Sequence, residues 1–338
     1  MSTVREFMDY HYLHYNSREV INAARAYEKH LAKGGKMLVS LAGAMSTARI
    51  GRILGRAIRE GMVHAISCTG ANLEEDVFNL VAANDYKIID DWRGLRAEDE
   101  KALYEQGYNR VTDTCIPETV MRHIEERLIT VWRKACDKGE RKMESEFLFE
   151  VLDDPSFEKH FQIPKENSWM YAAKEAGIPV YSPGWEDSTT GNMFTVAVRK
   201  KKVPHHTCVK TGTEQLDHLI TWYLEASGYD AFKKANPGKD FKSETPSVGF
   251  FQVAGGIAGD FAICAVPAII QDMKLEDAPY WGYFSQISDA VTSYGGYSGA
   301  VPNEKITWGK LDVDTPKFMI QSDATIVAPL IFAYLLGD

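Results

Sequence analysis

The feature that most restricts the fold of this chain is a recurring order of short β-rich run, small-residue turn and amphipathic helix. Parallel strands need a crossover long enough to hold a helix, so this alternation predicts an α/β protein with a mostly parallel sheet and helices on both faces. Lys36-Met37-Leu38-Val39-Ser40-Leu41 reads as a buried strand. It leads into the turn Ala42-Gly43-Ala44 and a helix whose apolar stripe is Ile50, Ile53, Leu54, Ala57 and Ile58, ending near Gly61. A second strand, 62–67, runs into Cys68-Thr69-Gly70-Ala71-Asn72 and the acidic helix start Leu73-Glu74-Glu75-Asp76. Later strands over 178–182 and 248–253 feed the irregular loop 183–192 and the small-residue run 254–259.

The remaining segments read as helices and loops around that sheet. The first helix is expected to start at Asn16 or Ser17, with Glu19 placed for a capping box and a stripe of Val20, Ile21, Ala24, Tyr27 and Leu31 ending at Gly34-Gly35. Residues 1–35 form a helical extension of one domain spanning 1–338. Pro117 suits the first turn of a helix through Cys136, and a more charged helical region covers 143–157. The helix 324–336 is apolar nearly all round, which predicts burial. The polar stretch 234–244 reads as an exposed loop.

Composition narrows the partners. Hydrophobic residues make up 45% and charged residues 25%, as in ordinary globular chains with a sizeable core. A net charge of −9 argues against nucleic acid, because phosphate binding needs clustered cations, and it suits a cationic ligand such as a polyamine. The basic run Arg199-Lys200-Lys201-Lys202 reads as a solvated loop. Five scattered cysteines imply reduced thiols, and His205, His206 and Cys208 lack a fourth zinc ligand, so no metal is expected. No stretch approaches the ~20 apolar residues of a membrane span, and the N-terminus lacks the apolar core of a signal peptide. A cytoplasmic location follows as the expectation.

In open parallel sheets, ligands bind beyond the carboxyl ends of the strands. Thr69-Gly70 and Gly255-Gly256 fit glycine turns whose amides approach a pyrophosphate, while Glu75 and Asp187 fit acceptors of ribose hydroxyl hydrogen bonds. None of these is a GxGxxG fingerprint, so the glycines serve either a dinucleotide or only tight turns. The segment 294–310 joins a polar glycine-rich loop to a carboxylate, an indole and an amine at Glu304, Trp308 and Lys310. A lysine nucleophile must be neutral, and an aromatic wall that excludes water favours the neutral form. Lys310 is either such a nucleophile or a solvated surface amine, and Trp308 either its wall or a core residue.

Trp308-Gly309-Lys310, Ser322-Asp323-Ala324 and Thr69-Gly70-Ala71-Asn72-Leu73-Glu74-Glu75-Asp76 resemble deoxyhypusine synthase. The likeness runs from about Lys36 to the C-terminus and is greatest to the bacterial deoxyhypusine-synthase-like branch, whose runs LAGAMSTA, NRVTDTCIPE, PGWEDST, GGIAGDF and VPNEKITWGKL stand here. The resemblance implies a Rossmann-like doubly wound fold, a homotetramer with interface active sites, and NAD returned unchanged. It implies that NAD takes a hydride from a polyamine, that Lys310 captures the aminobutyl group as an imine, and that an acceptor amine then receives it. By position, Thr69, Gly70, Glu75, Asp187, Gly255, Gly256, Asp323 and Ala324 match cofactor-binding residues, and Glu304, Trp308 and Ser298 match the substrate pocket. Asn192, Asp260, Cys264 and Tyr297 stand where protein-modifying members carry an aspartate, a histidine, an asparagine and another aspartate. Asp260 then either replaces the histidine as proton acceptor or binds a second ammonium. The altered pocket favours a small amine acceptor, as in homospermidine formation, over a lysine of a translation factor. A non-catalytic NAD or polyamine sensor is the reading from another class.

Overall fold

The structure is a computed structural model that describes residues 3–292 and 298–338. Its centre is a six-stranded sheet built from β1 (Met37–Leu41), β2 (Ala65–Cys68), β6 (Val180–Tyr181), β7 (Gly249–Val253), β8 (Tyr283–Ile287) and β9 (Lys317–Ile320). The strand order is β6-β2-β1-β7-β8-β9, and every pair is parallel. Between β2 and β6 the chain adds a small antiparallel sheet of β3 (Lys87–Ile88), β4 (Tyr108–Val111) and β5 (Thr114–Pro117). This α/β architecture with helices on both faces matches the expected fold class.

Residues of β1, β7 and β8 are buried along their whole length because both faces of the sheet are covered. The pleat sends alternate side chains to opposite cores. Val39 and its register partners Ile66 and Phe251 face one core, shared with Val20, Leu54 and Phe332. Leu38, Phe250 and Phe284 face the other, packed with Tyr223, Ile263 and Trp281. Polar ends of large side chains in these cores reach backbone acceptors. The Tyr27 hydroxyl donates to Met62 O at 2.8 Å, Tyr283 to Ala23 O at 2.9 Å, and Trp281 Nε1 to Ile263 O at 3.1 Å.

Several local expectations change. The N-terminal segment holds two helices, Val4–His11 and Tyr15–Ala32, and the second begins before Asn16. Asn16 and Glu19 do not cap it. Asn16 exchanges hydrogen bonds with the Gln321 backbone, and Glu19 Oε1 accepts from Met319 N at 3.2 Å. These amides border the edge strand β9, whose outer donors have no neighbouring strand, so the helix supplies acceptors. The second strand starts at Ala65 rather than 62 and includes Cys68. Pro117 ends β5 and precedes the helix Glu118–Lys138, so it lies just outside the first turn. The region 143–157 is two helices, Glu144–Leu152 and Pro155–Glu158, broken where Asp154 caps the second. The helix Ala324–Leu336 has the expected bounds and is largely buried, although Ile326 is exposed.

The chain winds from β1 outward to β2 and β6, and from β7 outward the other way through β8 and β9. Its winding therefore reverses between β1 and β7, where a crevice opens at the carboxyl ends of the strands. The loop after β1 is held there by Asn72, on the helix Gly70–Ala82 that follows β2. Fully buried, Asn72 accepts from Ser46 N at 2.9 Å, and its Nδ2 lies 3.1 Å from Leu41 O and 3.0 Å from Gly43 O. Asn72→Ala should destabilise the protein by roughly 2–4 kcal/mol, because the groups it served stay buried without partners. Urea unfolding of the two proteins measures the difference, and a change within error would contradict the clamp.

Candidate active site

Two glycines flank the point where the winding reverses. Gly43 follows β1 with φ +58°, and Gly256 follows β7 with φ +71°, both in the region that disfavours a side chain. A methyl group placed on either would meet no atom of the described residues within 4 Å, so open space lies beside both. The loops around this space are tied together. Ala42 N donates to Val253 O at 3.1 Å, and the Thr69 hydroxyl donates to Gly43 O at 2.7 Å. Gln286 on β8 gives its amide to Ala254 O at 3.1 Å and Ser298 O at 2.9 Å, which sets Ser298 against Gly255 so tightly that a Cβ there would overlap it.

Thr69 also caps the helix 70–82, accepting from Asn72 N, so its hydroxyl is engaged in holding two strand-end loops. Gly70 permits close approach of Ser188, the cap of the helix Thr189–Arg199, since a Cβ on it would lie 2.7 Å from Ser188 Cβ. The start of that second helix rests on Glu74, which accepts from Thr189 N at 3.0 Å and Thr190 N at 2.7 Å. Glu74 was not singled out in the sequence, where it reads as part of an acidic helix start. Burial nonetheless raises its pKa, and these amide donors oppose the rise.

Glu75 is buried as well, with the Tyr86 hydroxyl donating to it at 3.3 Å. Burial first, and then the charge of Glu74, push the Glu75 carboxyl up to about 8. Asp187 and Asp323 are exposed at opposite sides of the crevice, after β6 and β9 respectively. Asp323 caps the helix 324–336 by accepting from Thr325 N at 2.7 Å, and Ala324 is the first residue of that helix. Asn192 is exposed on the helix 189–199 and donates its amide to Ser188 O at 2.8 Å.

The segment after β8 carries the amines. A short helix, Glu304–Thr307, is followed by Trp308, by Gly309 at φ +65° and by Lys310. Lys310 N returns to Lys305 O at 3.0 Å, and Gln271 Nε2 donates to Trp308 O at 3.3 Å. A Cβ on Gly309 would lie 2.5 Å from that same Gln271 nitrogen, so both backbone angle and space call for glycine here. Lys310 is half-buried with Nζ 5.9 Å from the Trp308 ring centre, and Trp308 itself is 67% exposed in the single chain. Lys305 Nζ sits 4.8 Å over the ring of buried Phe284. Burial lowers the Lys305 pKa, the charge of Lys310 adds to the effect, and Asp260 and Glu304 oppose it. The charges of Lys310, Asp260 and Glu304 thus all act on the Lys305 amine.

Of the expected site residues, Thr69, Gly70, Gly255, Gly256 and Ser298 lie at the carboxyl ends of β2, β7 and β8, Asp260 lies on the helix Ile257–Ile263 with exposed Cys264 at its end, and Glu304, Trp308 and Lys310 lie farther along, where Lys310 O accepts from Trp281 N just ahead of β8. Tyr297 lies outside the described residues. Gly43 and Lys305 were overlooked in the sequence. Gly43 gains its meaning from strand order, whereas Lys305 stood beside Glu304 in the quoted run. A cleft of about 310 Å³ lined by Asp85, His123, His160 and Gln162 lies elsewhere, at the far end of helix 70–82. Among the described residues no group of His, Cys, Asp and Glu is arranged to hold a metal ion, and no helix is long and apolar enough to cross a membrane.

A family model described as deoxyhypusine synthase matches residues 7–335. Similar proteins include "Probable deoxyhypusine synthase 1" of Archaeoglobus fulgidus, 26% identical over 95% of this chain and 90% of that protein. A "Deoxyhypusine synthase-like protein" of Thermosynechococcus vestitus is 28% identical over 99% of this chain and 79% of its own length. A crystal structure from Entamoeba histolytica assigned as a deoxyhypusine synthase shares the fold, with TM-score 0.57 and 13% identity over 95% of this chain and 88% of that one.

The raised Glu75 carboxyl has a measurable consequence. A carboxyl whose folded-state pKa lies above its unfolded value favours folding while protonated, and that contribution is lost as pH rises from about 4.5 through about 8. Glu75→Gln should therefore reduce the fall in stability between pH 5 and pH 8.5, measured by denaturant unfolding at both values. An unchanged gradient would show that Glu75 is ionised throughout.

Proposed function

This chain belongs to the deoxyhypusine synthase family, and we propose that it is an NAD-dependent transferase that moves an aminobutyl group from a polyamine to a small amine through an imine on Lys310. The observation that carries this reading is the position of Lys310. It follows a left-handed Gly309 turn with its amine 5.9 Å from the ring of an exposed indole, on the segment that also carries Glu304. An amine nucleophile forms imines, and the carboxylates of Asp260 and Glu304 are suited to hold the ammonium groups of a polyamine. The exposed face of Trp308 offers such a cation a further ~1–2 kcal/mol once water is excluded.

The residues around the crevice fit a dinucleotide. Open space beside Gly43 and Gly256 lets backbone amides approach a pyrophosphate, and the capped starts of helices 70–82 and 324–336 point fixed positive ends at the same edge. Thr69, Gly70, Glu75, Asp187, Gly255, Gly256, Asp323 and Ala324 are the residues we assign to holding NAD. The chemistry NAD supplies when bound is removal of a hydride from the carbon beside a secondary amine and its later return. The chain's own residues then do the rest. Glu304 and Asp260 orient the oxidised substrate, Trp308 shields it, Asn192 and Ser298 border it, and the Lys310 nitrogen attacks its imine carbon as the departing diamine leaves.

Ile257, Val301, Trp308 and Ile326 are exposed in the single chain. Large apolar side chains left open in this way support a second copy covering them, as in a homotetramer with interface active sites. Free thiols at all five cysteines are in keeping with a cytoplasmic setting. A second reading, transfer to a lysine of a protein, is favoured by the name of the Archaeoglobus fulgidus relative.

Incubation with NAD and spermidine or putrescine, followed by borohydride, should leave an aminobutyl adduct on Lys310 by peptide mass spectrometry. Lys310→Arg should lose turnover by about 10³-fold or more. No adduct with either polyamine, or an adduct that persists in Lys310→Arg, would remove the mechanism. Free homospermidine-type product in the wild-type reaction supports the small acceptor. Product found only on an added translation factor supports the second reading.

A further inference from the structure

We propose that Glu144 and Gln215 are positioning residues for the loop 183–192, and that by fixing where this loop begins they set the affinity of the crevice for NAD. The inference rests on the reading above that Asp187, carried by this loop, holds NAD, and it adds two buried residues to which that reading gives no part.

The strand before this loop needs outside support. β6 lies at the edge of the sheet and pairs with β2 at only two positions, Val180 with Ile66 and Tyr181 with Ser67. So short a ladder fixes the strand weakly, and side chains from two helices grip it. From the helix Glu144–Leu152, Ser145 Oγ donates to Val180 O at 2.8 Å, and the Tyr181 hydroxyl lies 2.9 Å from Nδ1 of His218 on the helix Gly212–Ala226. Ser182, the first residue past β6, donates its N–H to Gln215 Oε1 at 2.8 Å. Gln215 Nε2 donates in turn to both oxygens of Glu144, at 3.2 and 2.9 Å. All three residues are buried, so water does not compete for these bonds. Burial raises the Glu144 carboxyl to about 8, and in either form an oxygen remains to accept from Nε2. Glu144 thereby fixes which end of the Gln215 amide faces Ser182; the reverse orientation would set two donors against each other.

The far end of the loop rests on another buried acid, since Glu74 accepts from Thr189 N and Thr190 N. Between these ends the chain closes on itself. Asp187 N donates to Gly184 O at 3.0 Å, and Ser188 Oγ to Trp185 O at 2.6 Å, with the Trp185 side chain buried. Gly184, at φ +67°, approaches the crevice so closely that a Cβ on it would lie 3.0 Å from Cδ1 of Ile257, the residue after Gly256. A loop tied at both ends and turned on itself has little room to adjust, so a shift at Ser182 is passed on to Asp187. Holding Asp187 in place before a ligand arrives lowers the ordering cost of binding. Glu144 and Gln215 act in this way through Ser182, from helices that follow β5 and precede β7.

The test uses Glu144→Met and Gln215→Met, which nearly keep the volume and break the chain of hydrogen bonds. Titration calorimetry with NAD on the full chain should show Kd raised about 10-fold or more in both, within the usual range of coupling between separate sites. Hydrogen exchange at the amides of 182–191, measured without NAD, should quicken in both. The double variant Glu144→Gln with Gln215→Glu reverses donor and acceptor between the two positions and keeps an acceptor for Ser182 N. It should bring Kd back to within about threefold of wild type, a coupling that two independent sites would not show. A role in packing alone would lower the melting temperature and leave Kd unchanged. That result overturns the proposal, as does a double variant that folds but binds NAD no better than the single ones. Should a single variant not fold, the double variant decides by the same comparison with wild type, where a Kd raised 10-fold or more counts against the proposal. Wild-type protein that binds no NAD removes this inference together with the cofactor reading beneath it. Wild-type binding that Glu144→Met and Gln215→Met match sinks the positioning role alone.

Discussion

Parallel pairing of β1 with β7 is the constraint on which the other features rest. Parallel strands place all their carboxyl ends along one edge, and the chain leaves β1 and β7 in opposite directions. The first turns of the crossovers therefore part between these two strands and leave the space bordered by Gly43 and Gly256. Asp187 after β6, Thr69 after β2, Gly255 after β7 and Asp323 after β9 come to this edge by the same rule. Side chains do the fastening, with Gln286 linking the loops after β7 and β8, and Asn72 and Thr69 linking those after β1 and β2.

The helix 70–82 shows what such fastening costs. Three consecutive acids, Glu74, Glu75 and Asp76, are buried in its first half. Burying a charge is unfavourable unless hydrogen bonds replace water. Glu74 receives two backbone amides from the neighbouring helix, and Asp76 receives Ser168 Oγ and Met170 N. Asp76 is pushed up to about 6 by burial even so, against the pull of those donors. Glu75 has fewer donors and moves further. Glu74 and Asp76 thus bind the helices at 189–199 and 169–176 to the helix 70–82, a structural use of carboxylates.

The lysine segment follows a different logic, in which one turn divides two tasks. Lys305 is tucked over Phe284 while Lys310, five residues on, stays half-buried beside an indole that faces outward. Gly309 makes that division possible, because only a residue without a side chain fits both its backbone angle and the approach of Gln271. Trp308 leaves most of its indole open in the single chain.

The α/β class, the bounds of the final helix and the runs around Lys310 were legible in the sequence, because hydrophobic period and glycine placement are local properties. β8 and β9 were not singled out, and the antiparallel strands near 87–117 escaped notice, since short or part-exposed runs have weak patterns. Strand order decided the rest. Gly43 is an ordinary turn glycine until β7 is known to lie beside β1, and Glu74 is one acid of a helix start until the helix 189–199 docks on it. Lys305 likewise becomes distinct from Lys310 only when Phe284 takes its stem. Local chemistry chose which residues stand ready to react, while burial and proximity, which arise only when distant segments pack, decided which of them meet.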